Sequence, residues 1–197
     1  MNPHIVPARR RLQDGTSMIE VLVAIVIVVV GLLGLAGLQS RAALAEMESF
    51  QRAQALVLLQ DMVDRINANR KNSMSYVTTD PLGTGNTEED CATLTGVYRD
   101  KCEWNNALLG AAEQQGGGGV GAMIGARGCV ENQVATMPRR FVVAVVWQGL
   151  NPTAAPGSTL CGQGKYGTSD LARRAVTTNL TIGCLQNDPV SLACVTP

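Results

Sequence analysis

One carboxylate, Glu20, stands at the head of an apolar run, and no other charged residue follows between Val21 and Ser40. An acid near the centre of a bilayer helix costs roughly 2.5–3.5 kcal/mol on insertion scales, and less toward the ends, so an acid in such a segment implies a partner. Hydrolysis after Gly15 would supply one. It leaves a free amine on Thr16, with an ordinary pKa of about 7.7–8.0, four residues and so one helical turn from Glu20. Within one chain the acid also suits the positive end of the helix macrodipole, by roughly 0.3–1 kcal/mol. Between chains, a carboxylate buried among apolar helices is satisfied only when a neighbour's amine lies beside it, which makes the pair a register device.

The second set of reactive residues is the six cysteines, Cys91, Cys102, Cys129, Cys161, Cys184 and Cys194, all of them after residue 90. An even number confined to one part of the chain fits an oxidising compartment and three disulfides. Fifteen pairings are open. Loop closure costs less for short loops, which favours Cys91 with Cys102, Cys129 with Cys161 and Cys184 with Cys194. Zinc is disfavoured, because there is no Cys-x-x-Cys pair and the only histidine, His4, lies before the apolar run. No metal or cofactor is expected.

The same inventory argues against an enzyme. A chain cut after Gly15 has no histidine, the commonest general base. Glu88, Glu89 and Asp90 read as a solvated acidic loop. The run Gly116 to Gly119, with Gly121, lacks the Gly-Lys-Ser/Thr that a phosphate loop requires and reads as a flexible loop. Arg139 with Arg140 and Arg173 with Arg174 adjoin strands, where edge charges resist edge-to-edge pairing. The whole chain carries 16 basic and 16 acidic residues; loss of residues 1–15 removes three arginines and one aspartate and leaves −2. Nucleic-acid binding therefore has little electrostatic support.

These residues need elements to position them. Twenty apolar residues at 1.5 Å each span about 30 Å, the thickness of a hydrocarbon core. A secretory signal has a shorter apolar region, so the Ala43-Leu44-Ala45 triplet is not read as a cleavage site. Arg9, Arg10 and Arg11 hold the N-terminus in the cytoplasm and send the rest across. A plain signal anchor, with Glu20 snorkelling to the interface, is the simpler alternative.

Residues 17–70 contain no proline and only Gly31, Gly34 and Gly37, which predicts one helix of about 54 residues. The glycines are either a soft spot or places where neighbouring helices approach closely. After Arg41 the pattern becomes amphipathic. Met47, Phe50, Leu58, Leu59, Met62, Val63 and Ile66 are expected to face a globular head, with Glu48 to Arg52 and Asp61 to Arg65 as i,i+4 pairs. A polar linker (71–90) and a short helix (Trp104 to Glu113) should follow. Strands are expected at Gly128 to Val134, at Arg140 to Gln148 in the centre, and at Ala175 to Ile182. The class is α+β, a small antiparallel sheet packed on the C-terminal half of the long helix.

Gly15-Thr16-Ser17-Met18-Ile19-Glu20-Val21-Leu22-Val23-Ala24 resembles the class III signal of type IV prepilins and type II secretion pseudopilins. It departs at Thr16, where Phe is usual, and at Asp14, where Lys or Gln is commoner. Gly31 to Gln39, Phe141 to Gly149, Cys161-Gly162 and Arg173 to Val176 are similar to the PilV-type minor pilins, the type IV pilus modification proteins. The resemblance is strong over residues 15–40, patchy in the C-terminal half and absent over 71–126. It implies the type IV pilin fold, cleavage between Gly15 and Thr16 by a prepilin peptidase, N-methylation of Thr16 and an assembly role for Glu20. It divides the chain into a leader (1–15), a membrane and filament-core helix (16–40), an amphipathic half (41–70), a variable region (71–126) and a disulfide-stabilised head (127–197). The implied partners are other minor pilins, the major pilin and a large tip adhesin; the implied location is the inner membrane with a periplasmic head, then the pilus tip. Two other readings stay open: a type II secretion pseudopilin, and a signal-anchored periplasmic binding domain.

Overall fold

A computed structural model describes residues 18–110, 114–115, 118–119 and 123–184. The chain divides into two compact units, residues 1–43 and 44–197. Helix α1 (Met18–Ala68) is the only element of the first unit among the described residues and continues into the second. No proline interrupts it, and Gly31, Gly34 and Gly37 have nothing within 4 Å of where a Cβ would stand.

In the second unit α1 is followed by a 3-10 helix (Arg70–Tyr76), β1 (Leu82–Gly83), α2 (Gly96–Leu109), β2 (Gln114–Gln115), β3 (Gly118–Gly119), β4 (Arg127–Val134), β5 (Arg139–Gln148) and β6 (Arg173–Ile182). The main sheet has the order β1-β4-β5-β6, antiparallel throughout, with β5 in the interior. β5 has the burial such a position requires: Phe141, Val143, Ala144, Val145 and Val146 are fully buried, so both faces are covered. β6 turns Val176, Leu180 and Ile182 inward, at the period of two that a strand with one buried face requires. The expected α+β class is present, with the strands one or two residues longer at their N-terminal ends.

Four features depart from expectation. The linker after α1 begins with the 3-10 helix, because Tyr76 is fully buried and anchors it. Helix α2 starts eight residues earlier than expected, at Gly96, and stops at Gly110, whose φ of +81° is the left-handed cap that glycine adopts without strain. β3 lies in the glycine run read as a loop and pairs with β2, which comes just before that run. The two-residue β1 was also not foreseen; it holds the edge of β4 together with Thr78, whose N–H and hydroxyl bond the Val130 backbone.

The core lies between the lower part of α1, α2 and one face of the sheet, and gathers Leu58, Leu59, Met62, Ile66, Trp104, Val130 and Phe141. The inward stripe of α1 differs from the expected one at its start. Gln51 and Ala55 are buried, whereas Met47 and Phe50 are 56% and 59% exposed. The buried positions 51, 55, 58, 59, 62 and 66 keep the helical period, and extending that period upward leads to Gln51, one residue beyond Phe50.

Candidate functional site

Of the residues expected to carry processing and assembly chemistry, Glu20 lies at the start of α1. Glu20 is in its first turn and exposed; Gly15 and Thr16 lie outside the described residues. From Met18 to Ser40 every residue is exposed, with Leu33 at 68%. Helix α1 is the one helix among the described residues long and apolar enough to cross a membrane, and its apolar part is not buried. So large an exposed apolar surface is consistent with a segment that sits in a membrane or against other apolar helices.

The cysteines are placed as follows. Cys91 is bonded to Cys102 and Cys129 to Cys161, each with Cα atoms 5.8 Å apart. Cys184 is also disulfide-bonded, and Cys194 lies outside the described residues. The first bridge ties the acidic loop to α2, and Asn106 reinforces it: its side chain donates to Glu89 O at 2.7 Å and accepts from Glu89 N at 3.1 Å. The second joins β4 to the loop before β6 and forms a small cluster with Ala144, Val146 and Tyr166 on the face of the sheet away from α1.

The head's charged groups are used for joining elements. Arg65 on α1 pairs with Asp61 at 3.0 Å and with Asp100 and Glu103 of α2 at 3.2 and 2.6 Å, and Arg99 holds Glu103 at 2.7 Å. Burial works against the Arg65 charge, but Glu103 and Asp61 outweigh it and hold the guanidinium above its ordinary value. Hydrogen bonds from Arg65 and then Arg99 hold the Glu103 carboxyl below the usual range. The Tyr76 hydroxyl donates to Asp100; burial, then that bond, pushes its pKa up to about 12. Among the described residues no group of three His, Cys, Asp or Glu is arranged to hold a metal ion.

Two expected charge roles are corrected. Glu48 pairs with Arg174 of β6 at 3.4 Å and not with Arg52, because the strand brings a cation across to it. Arg173 is not an edge charge. It is 3% exposed and donates to Thr159 O at 2.9 Å, Cys161 O at 3.0 Å and Pro156 O at 3.2 Å, with Asp170 at 3.4 Å. A buried guanidinium holding three carbonyls fixes the long loop before β6.

Against known proteins, the model of one family, Tt1218-like, described as type IV pilin Tt1218, matches residues 37–107. Over that stretch the chain is similar to a type IV pilin. The match takes in the end of the apolar segment, the amphipathic part of α1, the 3-10 helix and most of α2, a little over a third of the chain. No curated protein and no solved structure matches. The likeness supports a type IV pilin, and the long apolar helix with a small antiparallel sheet is consistent with that fold. The pilin likeness is also consistent with membrane anchoring and with contact to other pilins in a pilus.

Sequence reasoning did not single out Asp100, Tyr76 or Asn106, whose partners are 7 to 35 residues away in the chain. Only the Asp61 to Arg65 spacing gave a local signal for that network.

Proposed function

We propose that this chain is a non-catalytic minor pilin of the PilV type, cut after Gly15 and assembled into a type IV pilus, at or near its tip. The observation that carries the reading is the exposed apolar start of α1 with Glu20 alone in its first turn: 23 residues, Met18 to Ser40, that are exposed in the monomer and need lipid or other apolar helices around them. The pilin likeness over residues 37–107 supports it. Residues 1–15 are the leader, 16–40 the membrane and filament-core segment, and 41–70 the part of the helix that packs on the head. Residues 71–126 are the variable region and 127–197 the disulfide-stabilised part of the head. Before assembly the head lies in the periplasm, and the prepilin peptidase, other minor pilins, the major pilin and a tip adhesin are its partners. Thr16 is the residue methylated after cleavage.

Intact mass of the membrane-extracted protein, with and without a co-expressed prepilin peptidase, tests the reading. Loss of residues 1–15 only with the peptidase is expected; retention of the leader beside an active peptidase overturns the pilin reading. A Glu20→Ala variant should insert and be cut yet fail to support piliation, and normal pilus numbers would remove the register role from Glu20.

A further inference from the structure

The two edges of the main sheet are finished differently. β4 is closed by β1 and by Thr78. β6 stands at the other end of the strand order and pairs with β5 alone, in unbroken antiparallel register from Arg173 to Ile182. Along such a strand successive residues point their backbone groups to opposite edges. Gly149 N donates to Ala172 O at 2.7 Å, which directs Ala172 and the even-numbered residues after it at β5. Arg173 N turns the other way, to Asp170 O at 3.0 Å. Ala175, Thr177, Asn179 and Thr181 therefore send their N–H and C=O groups outward, and among the described residues none of these groups has a hydrogen-bond partner.

An open edge is a template for another strand, and proteins ordinarily blunt it with charge, proline or a bulge. From Ala175 to Ile182 there is no charged residue and no proline, and the register shows no bulge. The two arginines expected to guard this strand are engaged elsewhere. Arg173 is buried among loop carbonyls, and Arg174 holds Glu48 at 3.4 Å and Asn151 O at 2.5 Å. The open stretch has two ends. At one, Thr153 N donates to Leu171 O at 2.8 Å and seats its loop beside the edge; at the other come Gly183 and the disulfide-bonded Cys184. A segment of about seven residues in extended form fits between them. Thr177, Asn179 and Thr181 are also exposed in their side chains, on one face, where hydroxyl and amide groups pair across strands. A second copy of β6 suits the edge less well: set antiparallel, the Thr153 loop of each chain would stand opposite the Cys184 end of the other.

We propose that the outer edge of β6 is a docking site for an extended, uncharged, proline-free segment of a different polypeptide, which adds to the sheet as a further strand and carries Thr, Ser or Asn beside Thr177, Asn179 and Thr181. The proposal rests on the head alone, and not on membrane anchoring or on the pilin reading.

The probe is a synthetic peptide of alternating threonine and valine, about seven residues long, with a lysine at each end for solubility. Amide hydrogen exchange of the full chain in non-ionic detergent, followed by nuclear magnetic resonance, is the readout. In the dilute chain without probe, the amides of Ala175, Thr177, Asn179 and Thr181 should exchange fast and those of Val176, Thr178 and Leu180 slowly. Probe at ten times its dissociation constant should slow the first set about tenfold and leave the second set unchanged. The same peptide N-methylated at every residue keeps its side chains but donates nothing, and should have no effect. Asn179→Pro removes one outward N–H without touching the β5 ladder and should weaken probe binding at least about fivefold; if that variant does not fold, the methylated peptide carries the same test. Glu88→Gln, in the exposed acidic loop, should respond like the parent. Slow exchange of the outward amides in the dilute chain alone would assign the edge to residues after Cys184 of the same chain, and protection that rises with protein concentration alone would assign it to a second copy. Either result overturns the proposal, as does a probe that protects neither set, protects both equally, or acts equally well when methylated.

Discussion

Gly128, in β4, lies directly under the indole of Trp104, and a Cβ built there would stand 2.6 and 2.7 Å from the ring carbons Cζ3 and Cζ2. Carbon atoms in contact sit about 3.5–4.0 Å apart, so the ring or the strand must retreat by roughly 1 Å. Neither is free to do so. Trp104 is fully buried and its Nε1 donates to Leu58 O on α1 at 2.8 Å. β4 is bonded on one side to β1 and on the other, over most of its length, to β5. Gly128→Ala should therefore cost about 2–3 kcal/mol, the upper part of the range for overpacked cores. For a chain of this size that lowers the unfolding midpoint by about 4–12 °C. The measurement is thermal unfolding of the full chain in detergent, followed by near-ultraviolet circular dichroism. A second variant isolates the cause. Trp104→Phe loses the Leu58 bond and some buried area but clears space, so Gly128→Ala combined with it should be at least about 1 kcal/mol less harmful than the sum of the two. A midpoint within 1 °C of the parent for Gly128→Ala, or additive costs in the pair, would refute the view that α2 is seated on the sheet through this contact.

Two further outcomes follow from the geometry. The Cys129–Cys161 bridge closes a longer loop than Cys91–Cys102, with separations of 32 and 11 residues; by loop entropy its double alanine variant should lose about 3.7 kcal/mol and the other about 2.8 kcal/mol, and the reverse order in chemical denaturation would contradict the entropic account. Tyr76 keeps its proton to about pH 12 in the folded state, against about 10 when unfolded; its raised pKa means that this stabilisation is complete below pH 10 and is lost as pH rises toward 12, by about 2–3 kcal/mol in all. Tyr76→Phe should flatten that alkaline loss in thermal unfolding scans, and an unchanged slope would show that other groups cause it.

What the sequence revealed was periodic or local. The alternation in β6 and the continuous Val and Ala of β5 state their burial directly, the apolar run of α1 states its need for an apolar surround, and Glu20 is visible because no charged residue follows it as far as Ser40. What it hid was set by distant residues. Arg173 looks like any strand-end arginine until the loop carbonyls of Pro156, Thr159 and Cys161 close round it. Gln51 occupies a core position that a hydropathy pattern assigns to its neighbour Phe50. Two-residue strands have no periodicity to read, and β1 forms because the edge of β4 needs a partner.

The first buried residue of α1 is Gln51, and no described residue before it belongs to the core of the head. The chain thus has two vocabularies: up to residue 43 substitutions are judged by the medium around the helix, and from Leu44 onward by the head, whose ion pair Glu48–Arg174 comes first and whose packed interior begins at Gln51. Mutational damage should sort the same way. Changes among residues 18–43 should leave the melting curve of the head untouched while altering where the molecule resides, and a chain beginning at Leu44 should be soluble in water and fold unaided.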